Sequence, residues 1–350
     1  MGNNNCFLVR VSCMTYNHIR YITDAMDGFV MQQTAFPFVC TIVDDASTDG
    51  EQETIRKYIQ EHFDLQDSSV AYDRDTDYGH VTFAQHKENR NCYFAVIYLK
   101  ENHYSQKKSK APYLTDWKDT KYIALCEGDD YWTNPLKLQK QVDFLESHPD
   151  CIMSVHAAIW EEGDKMAIKG VCYENECDLT IEEIICNGGL YLAFASTIYR
   201  KDAVPTGSDR PLWWRRSDVG DYPLHIYAAL NGMVHFFPEP MCIYRFQHPG
   251  SWTYNQNLTK DIEHTKCEID WLTILDRETG YKYSKAIHMH LYNYYYLLYN
   301  KKELSAIQYY KAVCNTGVIS RHKYIKQVFK RVFKPVYNLY YRIMNRNTDA

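Results

Sequence analysis

Four apolar runs within the first 63 residues alternate between two periods, and that alternation restricts the folds open to this chain. Residues 7–14 (FLVRVSCM) and 38–43 (FVCTIV) are short, β-rich and read as buried strands. Between them Tyr21, Ile22, Ala25, Met26, Phe29 and Val30 recur at helical spacing. After them Ile55, Ile59 and Phe63 do so again, behind Ser47-Thr48-Asp49 as candidate caps. Strand, helix, strand, helix in this order requires parallel pairing with right-handed crossovers. The expected class is α/β, a Rossmann-like, mostly parallel sheet flanked by helices.

Farther along, 66–91 is polar and rich in Asp, Asn and His, and reads as an insertion or long loop. Residues 92–99 (CYFAVIYL) and 122–126 (YIALC) resume as strands. Asn134-Pro135 opens a helix whose buried stripe is Leu138, Val142 and Leu145, and His148-Pro149-Asp150 ends it. From 151 the runs shorten: a small helix near 180–186, a strand-like 190–200, and a helix starting around Gly220-Asp221-Tyr222-Pro223. Beyond 260 the chain is helical and Tyr-rich. The expected organisation is 1–150, 151–260 and a C-terminal helical extension over 261–350.

A net charge of −5 gives no reason to expect nucleic acid as a partner. The twelve cysteines form no C-x-x-C pair, and Cys13, Cys40 and Cys126 lie inside apolar runs, where a thiol acts as a small hydrophobe. No signal peptide precedes the first strand, and the longest apolar stretches fall short of a membrane span. A reducing, cytoplasmic setting is expected.

Open α/β sheets bind ligands beyond the carboxyl ends of their strands. Asp44-Asp45 and Glu127-Gly128-Asp129-Asp130 each close such a strand. An isolated Asp-Asp there is more often a turn or a cap, but two acidic clusters ending core strands point to a site. After strand one stands Met14-Thr15-Tyr16-Asn17-His18, with no Gly-rich phosphate cradle. A diphosphate would then need a hard divalent cation, Mn2+ or Mg2+, held by carboxylates.

These segments resemble family 2 glycosyltransferases. The resemblance rests on Val11 to Asn17, Ile42-Val43-Asp44-Asp45-Ala46-Ser47-Thr48-Asp49, and Tyr122 through Trp132 around Glu127-Gly128-Asp129-Asp130. It continues in Pro135, Leu138, Gln139, Gln141, Val142, Phe144 and Leu145. It implies a GT-A fold, an inverting reaction and a nucleotide-sugar donor, UDP-sugar favoured. Residues 1–150 would bind the donor and 151–260 the acceptor. Tyr16, after Thr15 and before Asn17, would pack on the nucleotide base, and Asp45 would bond its edge. Asp129 and Asp130 would lie at the ribose and the metal. Glu127 stands where the family's motif usually has Asp. Asn102, His103, Tyr104, Ser105 and Lys108 occupy a donor-contacting stretch.

An inverting transfer needs a carboxylate to take the acceptor hydroxyl's proton. Asp221, in Gly220-Asp221-Tyr222-Pro223-Leu224, matches the family's base; it also suits a helix N-terminus, and the two roles are compatible. His248, in Tyr244-Arg245-Phe246-Gln247-His248-Pro249-Gly250, resembles a late motif that approaches the metal or diphosphate, and imidazole suits manganese. Trp213, Trp214 and Trp252 are candidates for an acceptor pocket or for core packing.

Three other classes were open. A receiver-like signalling domain is far smaller and has nothing like 127–132. A nucleotidyltransferase wants a Gly-rich, Arg-bearing loop after strand one. A non-catalytic nucleotide-sugar-binding protein would not need Asp221.

No acidic residue falls between Glu303 and Asp349, while Arg321, Lys323, Lys326, Lys330, Arg331, Lys334, Arg342 and Arg346 do. Ile325, Phe329, Val332, Val336 and Tyr340 recur among them at helical spacing, with Pro335 as a break. Such a basic amphipathic segment over 318–346 either lies on an anionic membrane surface or folds onto the catalytic domain. The former would make the protein peripheral on the inner face, near a glycan or lipid-linked acceptor.

Overall fold

A computed structural model describes residues 7–251, 254, 258–314, 317 and 319–332. Its first part runs β1 (Val9–Thr15), α1 (Ile22–Val30), β2 (Phe38–Asp44), α2 (Glu51–His62), β3 (Phe63–Asp64), β4 (Tyr72–Asp75) and β5 (Gly79–His86). Next come β6 (Cys92–Leu99), a 3-10 segment over Ala111–Trp117, β7 (Tyr122–Leu125), β8 (Tyr131–Trp132), α3 (Lys137–Ser147), β9 (Cys151–Glu162), β10 (Lys165–Lys169) and β11 (Cys177–Asp178). The remainder is α4 (Ile181–Asn187), β12 (Ile198–Arg200), α5 (Leu212–Arg216), α6 (Asp221–Asn231), β13 (Met233–Arg245), α7 (Leu258–Glu278), α8 (Ser284–Asn300), α9 (Ala306–Val313) and α10 (Arg321–Val332).

Two compact units emerge. The first is Met1–Ile184, Gly189–Asp209 and Asp221–Gln256; the second is Ile185–Gly188, Arg210–Gly220 and Asn257–Ala350.

The first unit is built on a sheet of order β11-β13-β9-β12-β7-β1-β2-β6-β5-β3. β7, β1, β2 and β6 are mutually parallel. β12 runs against both β7 and β9, so β9 and its parallel neighbour β13 share the direction of β7. All the long strands but β5 therefore end on one edge, which is the expected α/β class. Alternation along β2 sorts the core: Phe38, Cys40 and Ile42 pack with Ile22, Phe29, Leu138 and Val142 on one face. Val39 and Val43 pack with Phe83, Ile97 and Trp117 on the other. Gly28 of α1 is a packing requirement, because a Cβ there would stand 2.9 Å from the Trp132 backbone nitrogen.

Several local expectations need correction. Residues 66–91 are not a loop: they contain β4 and β5, and β5 pairs antiparallel with β6 from Gly79 to Gln85. Its polar residues find partners. Gln85 Nε2 donates to Tyr93 Oη at 2.7 Å, and Asp73 and Asp75 flank the His80 ring. Phe63 leaves the α2 stripe, turning extended (φ −112°, ψ 151°) to start β3. α3 begins at Lys137, since Asn134 Oδ1 accepts from Leu136 N at 2.8 Å in a turn before the helix. The stretch 190–200 is mostly turn, with Ser196 N bonding Ala193 O and only Ile198–Arg200 in the sheet.

The second unit is helical. Trp213 and Trp214 are buried, and Trp213 stacks on Trp271 at 6.0 Å, so both are core residues there; Trp252 lies outside the described residues. The Tyr-rich pattern closes a separate cluster, with Tyr299 stacked on Tyr309 at 4.6 Å. Ser305 and Gln308 form a capping box at the start of α9. α10 covers the beginning of the basic tail; residues from 333 lie outside the described residues. No described helix is long and apolar enough to cross a membrane.

Lys137 is fully buried in the first unit; its Nζ donates to Gln141 Oε1 at 2.9 Å and lies 4.2 Å from the centre of the Trp132 ring. Burial lowers its pKa from 10.5 to about 7. Between those values the unfolded chain binds more protons than the folded one, so stability rises with pH across that window. Below it both states are protonated and the buried charge costs on the order of a few kcal/mol. Lys137→Met is therefore expected to be more stable than the wild type at pH 7 and to lose that advantage by pH 10, read by urea denaturation. A difference independent of pH would contradict this.

Candidate active site

The shared edge of the parallel strands collects the site. Thr15 at the end of β1 pairs with Asp44 at the end of β2. β7 stops opposite Ser12, but the chain continues along β1: Cys126 N donates to Ser12 O and Gly128 N to Met14 O at 3.0 Å. Glu127 to Asp130 thus arrive beside Thr15. Gly128 is needed there, because a Cβ would stand 2.2 Å from Thr15 Oγ1.

The loops after β1 and β2 are stitched to each other. Asp45 N donates to Thr15 O, Asn17 N to Ser47 Oγ at 2.9 Å, and Thr48 N to Asn17 Oδ1 at 2.8 Å. These bonds hold Asn17 and Ala46 in the left-handed region, at φ 58° and 62°. For alanine that conformation is costly and persists only when its surroundings impose it. Glu51, the first residue of α2 and fully buried, receives Thr15 Oγ1, His18 N and Ser47 Oγ. Burial pushes its pKa to about 7 against those bonds. Tyr16 projects from the same loop with 42% of its surface exposed, an open aromatic face.

Asp45 is buried and committed. Its carboxylate accepts from His103 N at 2.8 Å and Tyr104 N at 2.9 Å, and Lys110 Nζ lies 2.9 Å away. Asp45 therefore fixes the segment after β6. Lys108 does not point here: it pairs with Glu101 on the surface. Lys110, two residues later, is the lysine of the site.

Asp129 Oδ2 lies 2.9 Å from His248 Nε2 and 3.7 Å from His18 Nε2. Burial works to raise its pKa, but His248 and His18 prevail and lower it. Burial in turn lowers the pKa of His18, with Asp129 opposing. Asp130 turns inward: Oδ1 accepts from Arg245 N at 2.9 Å, and burial, then Asp129, holds its pKa well above the carboxylate range. The Arg245 guanidinium donates to Asp129 O and to Asp24, and lies over the rings of Tyr21 and Tyr131.

Glu127 is open to water yet surrounded by protein mass, as a side chain in a recess is. Its pKa rises to about 8, first from desolvation, then from Asp129 and Asp221, with Lys110 pulling the other way. Asp221 begins α6, half-buried, with Oδ1 accepting from Tyr222 N at 2.8 Å. Besides Asp129 of its own loop, Asp221 and the lysine held by Asp45, from two other chain segments, therefore act on the Glu127 charge.

Glu127, Asp129, Asp130 and His248 do not form a closed ligand set. Among the described residues, the group with three potential ligand atoms mutually within 4.8 Å is Asp218, His264 and Glu268 in the second unit. What the edge offers a cation is the Asp129 carboxylate between two imidazoles. Glu51, His18 and Lys110 were not singled out by their types; only His18 carried a signal, its place directly after Asn17.

No protein-family profile matches the chain. It is 31% identical over 245 residues to uncharacterised proteins of Mycobacterium tuberculosis and Mycobacterium bovis, a stretch covering 68% of this chain and 59% of theirs. Among solved structures it is similar to S. aureus TarS in complex with UDP-GlcNAc, with a TM-score of 0.54 and 15% identity over 88% of this chain and 80% of that one. It is also similar to a mannosyltransferase from Pyrobaculum calidifontis in complex with GDP-Man and Mn2+, with a TM-score of 0.50 and 13% identity over 98% and 85%. The fold of this protein is shared with these two solved structures.

Proposed function

We propose that the chain is a metal-dependent, inverting glycosyltransferase of family 2 type. It moves a sugar, most readily a hexose, from a nucleotide-sugar donor, UDP-sugar favoured, to a hydroxyl of a glycan or lipid-linked acceptor in surface polysaccharide synthesis. The observation that supports this best is the gathering at one sheet edge of Asp129, 2.9 Å from His248 and 3.7 Å from His18, beside Glu127, whose pKa is raised first by desolvation and then by Asp129 and Asp221, with Lys110 as the opposing charge. Crowded carboxylates at the ligand edge of an α/β sheet suit a site whose substrate brings its own cation.

In this reading residues 1–150 hold the donor and 151–260 the acceptor. Tyr16 offers its exposed ring to the base, with Thr15 and Asn17 shaping the loop and Asp45 acting through the segment it fixes. Asp129, with His248 and His18, would hold a divalent cation, and two imidazoles favour Mn2+ over Mg2+. Such a cation supplies counter-charge to the departing diphosphate. UDP-GlcNAc and GDP-Man with Mn2+ in the two similar structures support this donor class.

The acceptor oxygen bonds to the anomeric carbon as the bond to the diphosphate breaks, and the hydroxyl proton passes to a carboxylate. Asp221 suits that role, since the N-terminus of α6 stabilises its ionised form. Glu127, near 8, keeps its proton at neutral pH and is the poorer base. A protein that binds the donor without turning it over is the second reading, and Asp221 distinguishes them.

Thermal shift with nucleoside diphosphates tests the donor site. With Mn2+ at a hundred times its dissociation constant one diphosphate should add about 2.7 kcal/mol. Asp129→Asn should lose that gain. Asp221→Asn should keep it while donor turnover, read as released nucleoside diphosphate, falls at least about a hundredfold. No shift with any diphosphate contradicts the enzyme reading; loss of donor binding in Asp221→Asn reassigns that residue.

The tail over 318–346 is proposed to rest on an anionic membrane surface on the cytoplasmic side, where a lipid-linked acceptor would be found. In support, α10 exposes Ile325 beside Lys323 and Lys326. The full chain should co-sediment with anionic liposomes, and a chain ending at Thr316 should not. Equal, weak binding by both contradicts it.

A further inference from the structure

The second unit carries a polar cluster that the proposed reaction does not use. His264 and Glu268 stand one turn apart on α7, four residues being the spacing that puts two side chains on one helical face. Asp218, from the segment after α5, closes the group: its two carboxylate oxygens lie 3.0 and 2.9 Å from His264 Nδ1. One ligand atom from each of the three residues falls within 4.8 Å of the others.

Spacing and surroundings both suit an ion. Tetrahedral zinc with nitrogen and oxygen ligands at about 2.1 Å places those atoms about 3.4 Å from one another, so the cluster's separations need to change by no more than about 1.4 Å. Glu268 is 1% exposed, a depth at which a carboxylate is rarely found without a charge partner. Its Oε1 accepts from Trp271 Nε1 at 2.9 Å and its Oε2 from Tyr294 Oη at 3.2 Å. Bonds of that kind orient a ligating carboxylate and leave each oxygen a lone pair. Burial raises its pKa to about 7, with Trp271 and His264 opposing. Asp218 and His264 keep the group open to water on one side. Cys267 is outside the set of three, its Sγ donating to Arg216 O at 3.2 Å and also bonding the Asp218 side chain.

We propose that Asp218, His264 and Glu268 bind a zinc ion that staples the 216–220 segment to α7. One imidazole with two carboxylates favours a borderline ion such as zinc over magnesium or calcium, which take oxygen donors. All three residues belong to the second unit.

The test uses the full chain, stripped with EDTA and titrated with ZnCl2 by calorimetry. Wild type is compared with Asp218→Asn, His264→Gln and Asp129→Asn, each checked for folding by circular dichroism. Wild type and Asp129→Asn should share one zinc site that Asp218→Asn and His264→Gln hold at least about tenfold more weakly. Zinc should also raise the melting temperature of the wild type more than that of those two variants. Unchanged zinc affinity in both Asp218→Asn and His264→Gln, or no zinc bound by the wild type, overturns the proposal. Asp218 is exposed, so its variant tests the site without disturbing the core.

Discussion

Repulsion among carboxylates at one edge of the sheet is the interaction that the rest of the first unit is arranged to sustain. Desolvation first, and then the charges of Asp129 and Asp221, raise the Glu127 pKa to about 8, and Lys110 only partly offsets them. Such crowding is unfavourable in isolation and must be held by surrounding structure. The holding parts are identifiable. Arg245 fixes Asp130 and the Asp129 carbonyl, Glu51 fixes the Thr15–His18 loop, and Asp45 fixes the segment that carries Lys110.

Strand direction makes this assembly possible. β1, β2, β6, β7 and β13 run the same way, so the loops that follow them reach one edge from points as far apart in sequence as Asn17 and His248. Each loop then contributes one kind of group. The first gives an aromatic face and an imidazole, the second and third a carboxylate–lysine pair, the fourth the acidic cluster, and the last a second imidazole. Gly128 lets the acidic cluster pass against Thr15, and any side chain there would separate the loops.

Much of this was legible in the residues, for physical reasons. β1, β2, β6 and β7 are buried on both faces or nearly so, and continuous apolar runs mark such strands clearly. The acidic clusters stood out because they end those runs. β5 did not, because its His, Thr and Gln take partners within the sheet and so disguise a strand as a loop. Lys108 pairs with Glu101 while Lys110 reaches Asp45, because a two-residue offset in an irregular segment decides which lysine turns inward, and spacing there has no period to read. Asp130 looked equivalent to Asp129, yet one meets His248 and the other the backbone of Arg245. Only the closing strand β13 distinguishes them.

The central claim is that Asp129 and Asp221 face one cleft in which a cation and a diphosphate meet. Diffraction from crystals grown with Mn2+ and a nucleoside diphosphate tests it directly, since manganese scatters anomalously. The account predicts an anomalous peak in bonding contact with Asp129, with the diphosphate on that ion and Asp221 lining the same cleft. A diphosphate ordered away from Asp129, or manganese found only at Asp218, His264 and Glu268, would contradict it.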